Sequence, residues 1–527
     1  MNQLPVRACA LFSALALLHP ITPTLAQSKP ARRATASVVS TPMAGTPVAG
    51  TPGGTLPEYQ LTKDELESHL RFIASDELQG RKTGSPGNLV AARYIAEQFR
   101  RLGLRPAADN NSYYQPVALQ RTQPTASGSI RFGTDSLQLG NQFVVMSGGA
   151  VRQTAPSVYV GYGLSADDYA GKDAKGKFVV TQVGSAEAKT SRDLVGAMTA
   201  KRKLATERGA LGVVELFASP TAPWGMVSRY FNSEQLALAA AGDAPGQPQL
   251  LHIWADNGKG QLGTLKDNPA VTIQTSGRVS QPVKAVNVAG IIEGTDPTLT
   301  NEYVLLTAHF DHIGTKAGGN APDADTIFNG ARDNGMGTVG LLAAAKTLTL
   351  QRPKRSVIVV ALTGEEVGLL GSRYYAEHPL VPLKQTVFNF NIDGAGYNDT
   401  KLISVIGLDR TGARAEIERA AAQFGLSVFG DPAPEQGLFD RSDNVSFAAK
   451  GIPAPTLSEG FKAFDEELMK NYHQVSDNPD TIDYDYLLRF CQAYARAARL
   501  IADRPTRPFW VAGDKYEAAG KALYGAK

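Results

Sequence analysis

The sequence predicts an α/β fold in which a mostly parallel mixed sheet, covered by helices on both faces, is interrupted by a β-rich insertion. Three observations carry this expectation. From Ala285 onward, near-continuous apolar runs alternate with helical patterns, the signature of buried strands joined by crossover helices. Residues 127–283 have another texture, with short β-rich runs between Gly- and Asp-rich turns. The length of 527 residues exceeds one ordinary domain.

Taken in chain order, the N-terminus reads as a secretory signal over residues 1–26. Arg7 is its positive region, residues 8–18 are apolar, and Thr24-Leu25-Ala26 offers small residues for cleavage before Gln27. The apolar run is too short to span a bilayer, and Cys9 lacks a lipoprotein box. No later stretch is long and apolar enough for a span, so the expected destination is secreted or periplasmic, with no membrane span in the mature chain. Once the signal is removed only Cys491 remains, which excludes an intramolecular disulfide. Residues 27–56, rich in Ala, Thr and Pro, read as a disordered linker.

Folded sequence is expected from Pro57. Thr62-Lys63-Asp64-Glu65 is a capping box opening a helix to about Ser75. Ser85-Pro86 opens a second helix, and Gly103 stops it. The insertion offers strands at 157–160, 177–183 and 211–216 and a helix over 193–207. It holds one histidine, His252, and no cluster of metal-type residues. Beyond it, strands are expected at 303–308, 356–362, 387–392 and 402–406, and helices at 337–350, 368–376, 411–424 and 483–502. This divides the folded chain into a principal domain (57–126 with 284–505), an accessory domain (127–283) and a C-terminal tail (506–527).

Composition narrows the function. Hydrophobic residues make up 43% and charged residues 20%, which suits a soluble protein with a large core. The net charge of +3 is owed to Arg7, Lys29, Arg32 and Arg33 ahead of the folded region, so the body is close to neutral. A neutral body lacks the basic footprint of a nucleic-acid binder.

In open α/β sheets, ligands bind beyond the carboxyl ends of the strands. Metal-type residues fall there. The 303–308 strand runs into His309-Phe310-Asp311-His312, the 356–362 strand into Thr363-Gly364-Glu365-Glu366, and the 387–392 strand into Asp393. Asp333 lies in the loop between the first two, and His473 follows later. Imidazole and carboxylate are ordinary zinc ligands. In a two-metal site one carboxylate must bridge, which suits Asp333, with His309 and Asp393 completing one ion and Glu366 and His473 the other. Two dications against three carboxylates leave net positive charge, favouring a bound hydroxide as nucleophile. On an extended backbone the side chains of Glu365 and Glu366 diverge, so one can bind metal while the other serves as general base. Asp311 projects to the side of His309 and can receive its other ring N–H. His312 reads only as a neighbour of the site, and His378 as a surface residue before Pro379.

These segments resemble one zinc peptidase family, which includes vacuolar aminopeptidase Y, secreted bacterial leucyl aminopeptidases, glutamate carboxypeptidase and the transferrin receptor. The resemblance rests on His309-Phe310-Asp311-His312-Ile313-Gly314, Gly330-Ala331-Arg332-Asp333-Asn334, residues 364–372 around Glu365-Glu366, and Asn391-Ile392-Asp393. Ser442-Asp443 and Gly451-Ile452-Pro453 add to it. It implies a phosphorylase/hydrolase-like peptidase fold and two Zn²⁺ per chain, with His309 and Asp393 on one ion, Glu366 and His473 on the other, and Asp333 bridging. It further implies Glu365 as base, Asp311 as the partner of His309, and peptide or protein N-termini as substrate. Gly161-Tyr162-Gly163, residues 173–177 and residues 209–212 resemble motifs of an inserted protease-associated domain. Two departures stand out: Gly335-Met336 where small or hydroxyl residues are frequent, and Gly394 where a larger residue is common. Carboxypeptidase, glutaminyl cyclase and non-catalytic binding are the alternatives on the same fold.

Overall fold

A computed structural model describes residues 56–188, 191–219, 223–239, 249–316 and 324–525. The expected signal peptide, and the linker up to residue 55, lie outside the described residues.

The principal sheet has a parallel centre. Tyr303–His309 lies between Ser356–Leu362 and Thr386–Ile392, parallel to both, and Thr386–Ile392 pairs in parallel with Thr456–Ser458. Antiparallel pairs flank this centre, although at one edge Leu402–Ile406 pairs in parallel with Ser427–Phe429. On one side Ser280–Ile292 pairs with Ser356–Leu362 and then with Tyr114–Thr122, and on the other Leu402–Ile406 pairs with Thr456–Ser458. The sheet is therefore mixed, as the α/β reading expects, with parallel pairing concentrated where the metal-type residues emerge.

Both faces are covered. In Tyr303–His309, Val304, Leu306 and Ala308 enter one core while Leu305 enters the other, the period-two alternation of a strand buried on both sides. Helices Lys63–Ile73, Pro86–Arg101, Gly337–Leu350, Arg414–Gln423 and Tyr484–Ala502 contribute to the first core. Leu370–Glu377 and Asn444–Ala448 contribute to the second, through Tyr375 and Phe447. The segment after residue 505 packs there too: Trp510 is buried and the Tyr524 hydroxyl donates to the Thr386 carbonyl. Thr62 caps the first helix by accepting from the Glu65 N–H at 3.3 Å, but the Glu65 carboxylate pairs with Lys346. A tertiary partner has taken half of the expected capping box. No helix among the described residues is long and apolar enough to cross a membrane.

A second sheet of eight strands is assembled within residues 128–275. Its centre is parallel, in the order Val151–Tyr159, Phe178–Gln182, Gly212–Phe217 and Leu251–Asp256. One short strand of this region, Gln235–Leu238, instead joins the edge of the principal sheet beside Tyr114–Thr122.

Under the second sheet lies a fully buried ionic knot. Lys201 pairs with Glu215, whose Oε1 contacts His252 Nε2 at 2.6 Å and accepts from Trp254 Nε1 at 3.0 Å. Removing the acid alone strands a buried ammonium. Glu215→Ala is expected to cost about 3–5 kcal/mol in urea unfolding followed by tryptophan fluorescence; a loss within error of zero would show Lys201 to be uncharged. Burial pushes the His252 pKa below its usual 6.5, so the unfolded chain binds the extra proton and this contribution to stability is lost as pH falls below that value.

Candidate metal centre

The three parallel strands end on one rim. His309 is the last residue of its strand, Glu365 and Glu366 follow Ser356–Leu362 after a two-residue turn, and Asp393 directly follows Thr386–Ile392. Asp333 sits in the turn Ala331–Met336, which leads into helix Gly337–Leu350. His473 lies on a loop after the short helix Glu466–Met469 and has φ of 55°, a left-handed conformation costly for a residue with a Cβ.

All five expected ligands are brought together. Asp333 lies between two imidazoles: Oδ1 is 3.4 Å from His309 Nε2 and Oδ2 is 3.0 Å from His473 Nε2. His309 Nε2 also faces Asp393 Oδ1 at 3.2 Å, and His473 Nε2 faces Glu366 Oε2 at 3.3 Å. Candidate ligand atoms of His309, Asp333 and Asp393 lie within 4.8 Å of one another. So do those of His312, Asp333 and Glu366. The donors are nitrogen and carboxylate oxygen, and they converge from separate elements, so they fit the coordination chemistry of zinc.

The electrostatics make the same demand for positive charge. Burial would raise the Asp333 pKa, but hydrogen bonding from His309 and His473 holds it well below the usual carboxylate range. Burial would likewise lower His309, yet Asp393 and Asp333 raise it well above its usual value. His473 is pushed up to about 11, because its bonds to Asp333 and Glu366 outweigh burial. Protons on two histidines offset part of the charge of Asp333, Asp393 and Glu366.

Glu365 behaves differently from its neighbour. Burial, with the like charges of Asp393 and Glu366 outweighing His309, raises its pKa well above the usual carboxylate value. Among the described residues its carboxylate makes no hydrogen bond, whereas its backbone N–H donates to Asp311 Oδ1 at 3.2 Å. Asp311 is fully buried and accepts from Thr83 Oγ1 at 2.7 Å. The His309 ring Nδ1 is 3.2 Å from the Asp311 backbone carbonyl and 3.8 Å from its carboxylate. Asp311 thus touches both sides of the site, gripping the Glu365 backbone and backing the His309 ring.

Several residues that the sequence reading passed over hold this arrangement. Asp477 accepts the backbone N–H groups of Arg332 (2.9 Å) and Asp333 (3.2 Å) and pairs with the Arg332 guanidinium at 3.0 Å. Buried Arg81 donates to the carbonyls of Phe310 (2.8 Å), Gly330 (2.7 Å) and Asn329. His312, read as a mere neighbour, is buried with its Nδ1 2.6 Å from Glu366 Oε1. His378 is exposed and away from the cluster, as expected. Behind Asp393, the carboxyl of Glu459 fills the space a side chain at Gly394 would need: a Cβ there would lie 2.1 Å from Oε2 and 2.2 Å from Oε1. Burial pushes the Glu459 pKa up to about 8.

Gly394→Ala is expected to displace Glu459 and with it the Asp393 loop, weakening metal binding on the His309 side by about tenfold. Competition with a chromophoric chelator measures this. Adding Glu459→Ala should restore affinity, and an unaffected Gly394→Ala single variant would show that the carboxyl yields freely.

Residues 287–498 match Peptidase family M28, a span that includes all five expected ligands. A probable leucine aminopeptidase 2 of Aspergillus fumigatus is 28% identical over 264 residues, covering 46% of this chain and 48% of that protein. A vacuolar membrane protease of Saccharomyces cerevisiae is 37% identical over 156 residues, 29% of this chain and 14% of that one. The chain thus spans about half the length of the first relative and much less of the second. Among solved structures, an aminopeptidase from Aneurinibacillus sp. strain AM-1 shares the fold with a TM-score of 0.51 at 20% identity, over 85% of this chain and 96% of that one. Residues 287–498, which carry the strand-end site, are thus similar to peptidase family M28, and the sequence motifs resemble a zinc peptidase family.

Proposed function

We propose that this chain is an exported di-zinc aminopeptidase that hydrolyses the N-terminal bond of peptides or proteins. The observation that carries the proposal is the carboxylate of Asp333, whose two oxygens face histidines of two separate clusters. A carboxylate so placed suits a bridge between two ions. His309 and Asp393 would hold one zinc, Glu366 and His473 the other. Zinc bound there supplies Lewis acidity, which activates water and polarises a carbonyl at neutral pH.

The chain's own residues do the rest. Glu365, with a free carboxylate and a pKa raised by burial, removes the proton from the attacking water and returns it to the departing amine. Asp311 fixes the Glu365 backbone through its N–H, so the base is held on the rim while Glu366 binds metal. Glu365 and Glu366 stand in a turn, closed by the Gly368 and Leu369 N–H groups on the Glu365 carbonyl, and not on the extended backbone that the sequence reading assumed. Residues 1–26 would direct export, and the β-rich region within 127–283 would be a protease-associated-like module beside the catalytic domain.

Glu365→Gln is expected to keep two zinc ions per chain, read by elemental analysis, while turnover falls by about 10²–10⁴-fold. A variant that cleaves peptides at the original rate would remove Glu365 from this role. A peptide library offered with free and with N-acetylated termini tests the rest. Free termini should be cut and blocked ones spared, and equal cleavage of both would end the aminopeptidase reading.

A further inference from the structure

Glu366 has more than one partner, and this division carries an inference that rests on the two-zinc reading. Its Oε2 is 3.3 Å from His473 Nε2, across the space assigned to the second ion. Its Oε1 is 2.6 Å from Nδ1 of His312, a hydrogen-bonding distance. We propose that His312 is a positioning residue: it donates its Nδ1–H to Glu366 Oε1 and thereby presents Oε2 to the metal shared with His473 and Asp333.

The donor assignment follows from the partners. An ionised carboxylate has no hydrogen to give, so the proton in the contact belongs to the ring. The neutral tautomer then leaves Nε2 with a bare lone pair. Among the described residues Nε2 is buried with no hydrogen-bond partner, and an unpartnered acceptor is tolerated inside a protein more readily than an orphaned N–H.

The ring is held in place by its surroundings. A Cβ on Gly330 would lie 2.6 Å from His312 Cδ2 and 2.7 Å from Cγ, so the residue opposite the ring has no side chain to spare. Gly330 also has φ of 59°. The His312 backbone N–H donates to the Arg81 carbonyl at 3.4 Å, while the Arg81 guanidinium binds the Gly330 carbonyl at 2.7 Å. Ring, glycine and the Asp333 loop are thus tied to one buried arginine. The imidazole is 1% exposed, so it serves the ligand and not the substrate.

The experiment is zinc titration of full-length wild type, His312→Ala, His312→Asn and His312→Gln, with a chromophoric chelator as competitor. Asparagine sets an amide N–H where Nδ1 stood, whereas glutamine reaches to the Nε2 position. In His312→Ala and His312→Gln one of the two zinc steps should fall 10–100-fold in affinity, with the other unchanged. His312→Asn should stay close to wild type, and cobalt-substituted spectra should follow the same order. Should the alanine variant fail to fold, the asparagine–glutamine pair decides the matter. Wild-type affinity in all variants overturns the proposal. Equal loss in the asparagine and glutamine variants also overturns it, because the ring would then be a ligand itself. A wild-type protein that binds a single zinc sinks instead the two-zinc reading on which the proposal stands.

Discussion

The site depends on a buried carboxylate that must face positive charge on two sides. Asp333 is 5% exposed, and its oxygens contact His309 and His473. A carboxylate taken out of water and left unpaired is penalised by several kcal/mol, so the fold must bring partners to both oxygens and keep them there. One partner comes from the end of a central strand, where register fixes it. The other comes from a loop far along the chain, held in a left-handed turn. The strand ends give His309, Asp393 and the Glu365–Glu366 pair a rigid rim, and the Asp333 turn closes over it.

That turn has no regular ladder, so side chains must satisfy its backbone. Arg81 supplies donors to three carbonyls around it, and Asp477 supplies acceptors to two of its N–H groups. Both are themselves buried charges. Arg81 has carbonyls for partners and the site's carboxylates close by, and burial lowers its pKa to about 10 in spite of those acids. Asp477 is neutralised by Arg332, which in turn is anchored to Thr481 at 2.7 Å. Such a network fixes ligand positions before any ion arrives, and this preorganisation is what a metal site requires of its scaffold.

His309, Asp333, Glu365, Glu366 and Asp393 were open to sequence reasoning because each stands at or just after a strand end or in a glycine-bounded turn, and because strand periodicity is a local signal; His473, on a loop after Glu466–Met469, carries no such marker. The long helix 337–350 and the strand 356–362 were legible for the same reason. What sequence reasoning missed depends on register between distant segments. The partners of Arg81 lie 229 to 252 residues away, apart from the Ile73 carbonyl, and Asp477 is 145 residues from Arg332. Nothing in their neighbourhoods distinguishes them from solvated charges. His312 was seen but set aside, because its importance comes from Glu366, which reaches it through a loop after another strand. Strands Thr456–Ser458 and Ser427–Phe429 are too short to show a period. The 13-residue strand Ser280–Ile292 was hidden for another reason: its first half is polar and exposed, and only the second half enters the core.

Proton and metal compete for the same atoms, and this explains why so many acids can be gathered in one interior. His309 and His473 hold their protons tightly because Asp333, Asp393 and Glu366 face them. A divalent ion at either cluster must displace a proton from a ring nitrogen, so binding releases protons and strengthens as pH rises. The same carboxylates that hold the proton also reward the ion with more charge, so the cluster does not choose proton over metal. Acids that face no histidine follow a different course. Glu459, behind Asp393, takes up a proton near neutral pH because burial dominates, and as a neutral carboxyl it can occupy the space left by Gly394 without adding to the charge. The fold thus holds Asp333 and Glu366, which histidines face, below the ordinary carboxylate range, while burial pushes Glu365 and Glu459 above it.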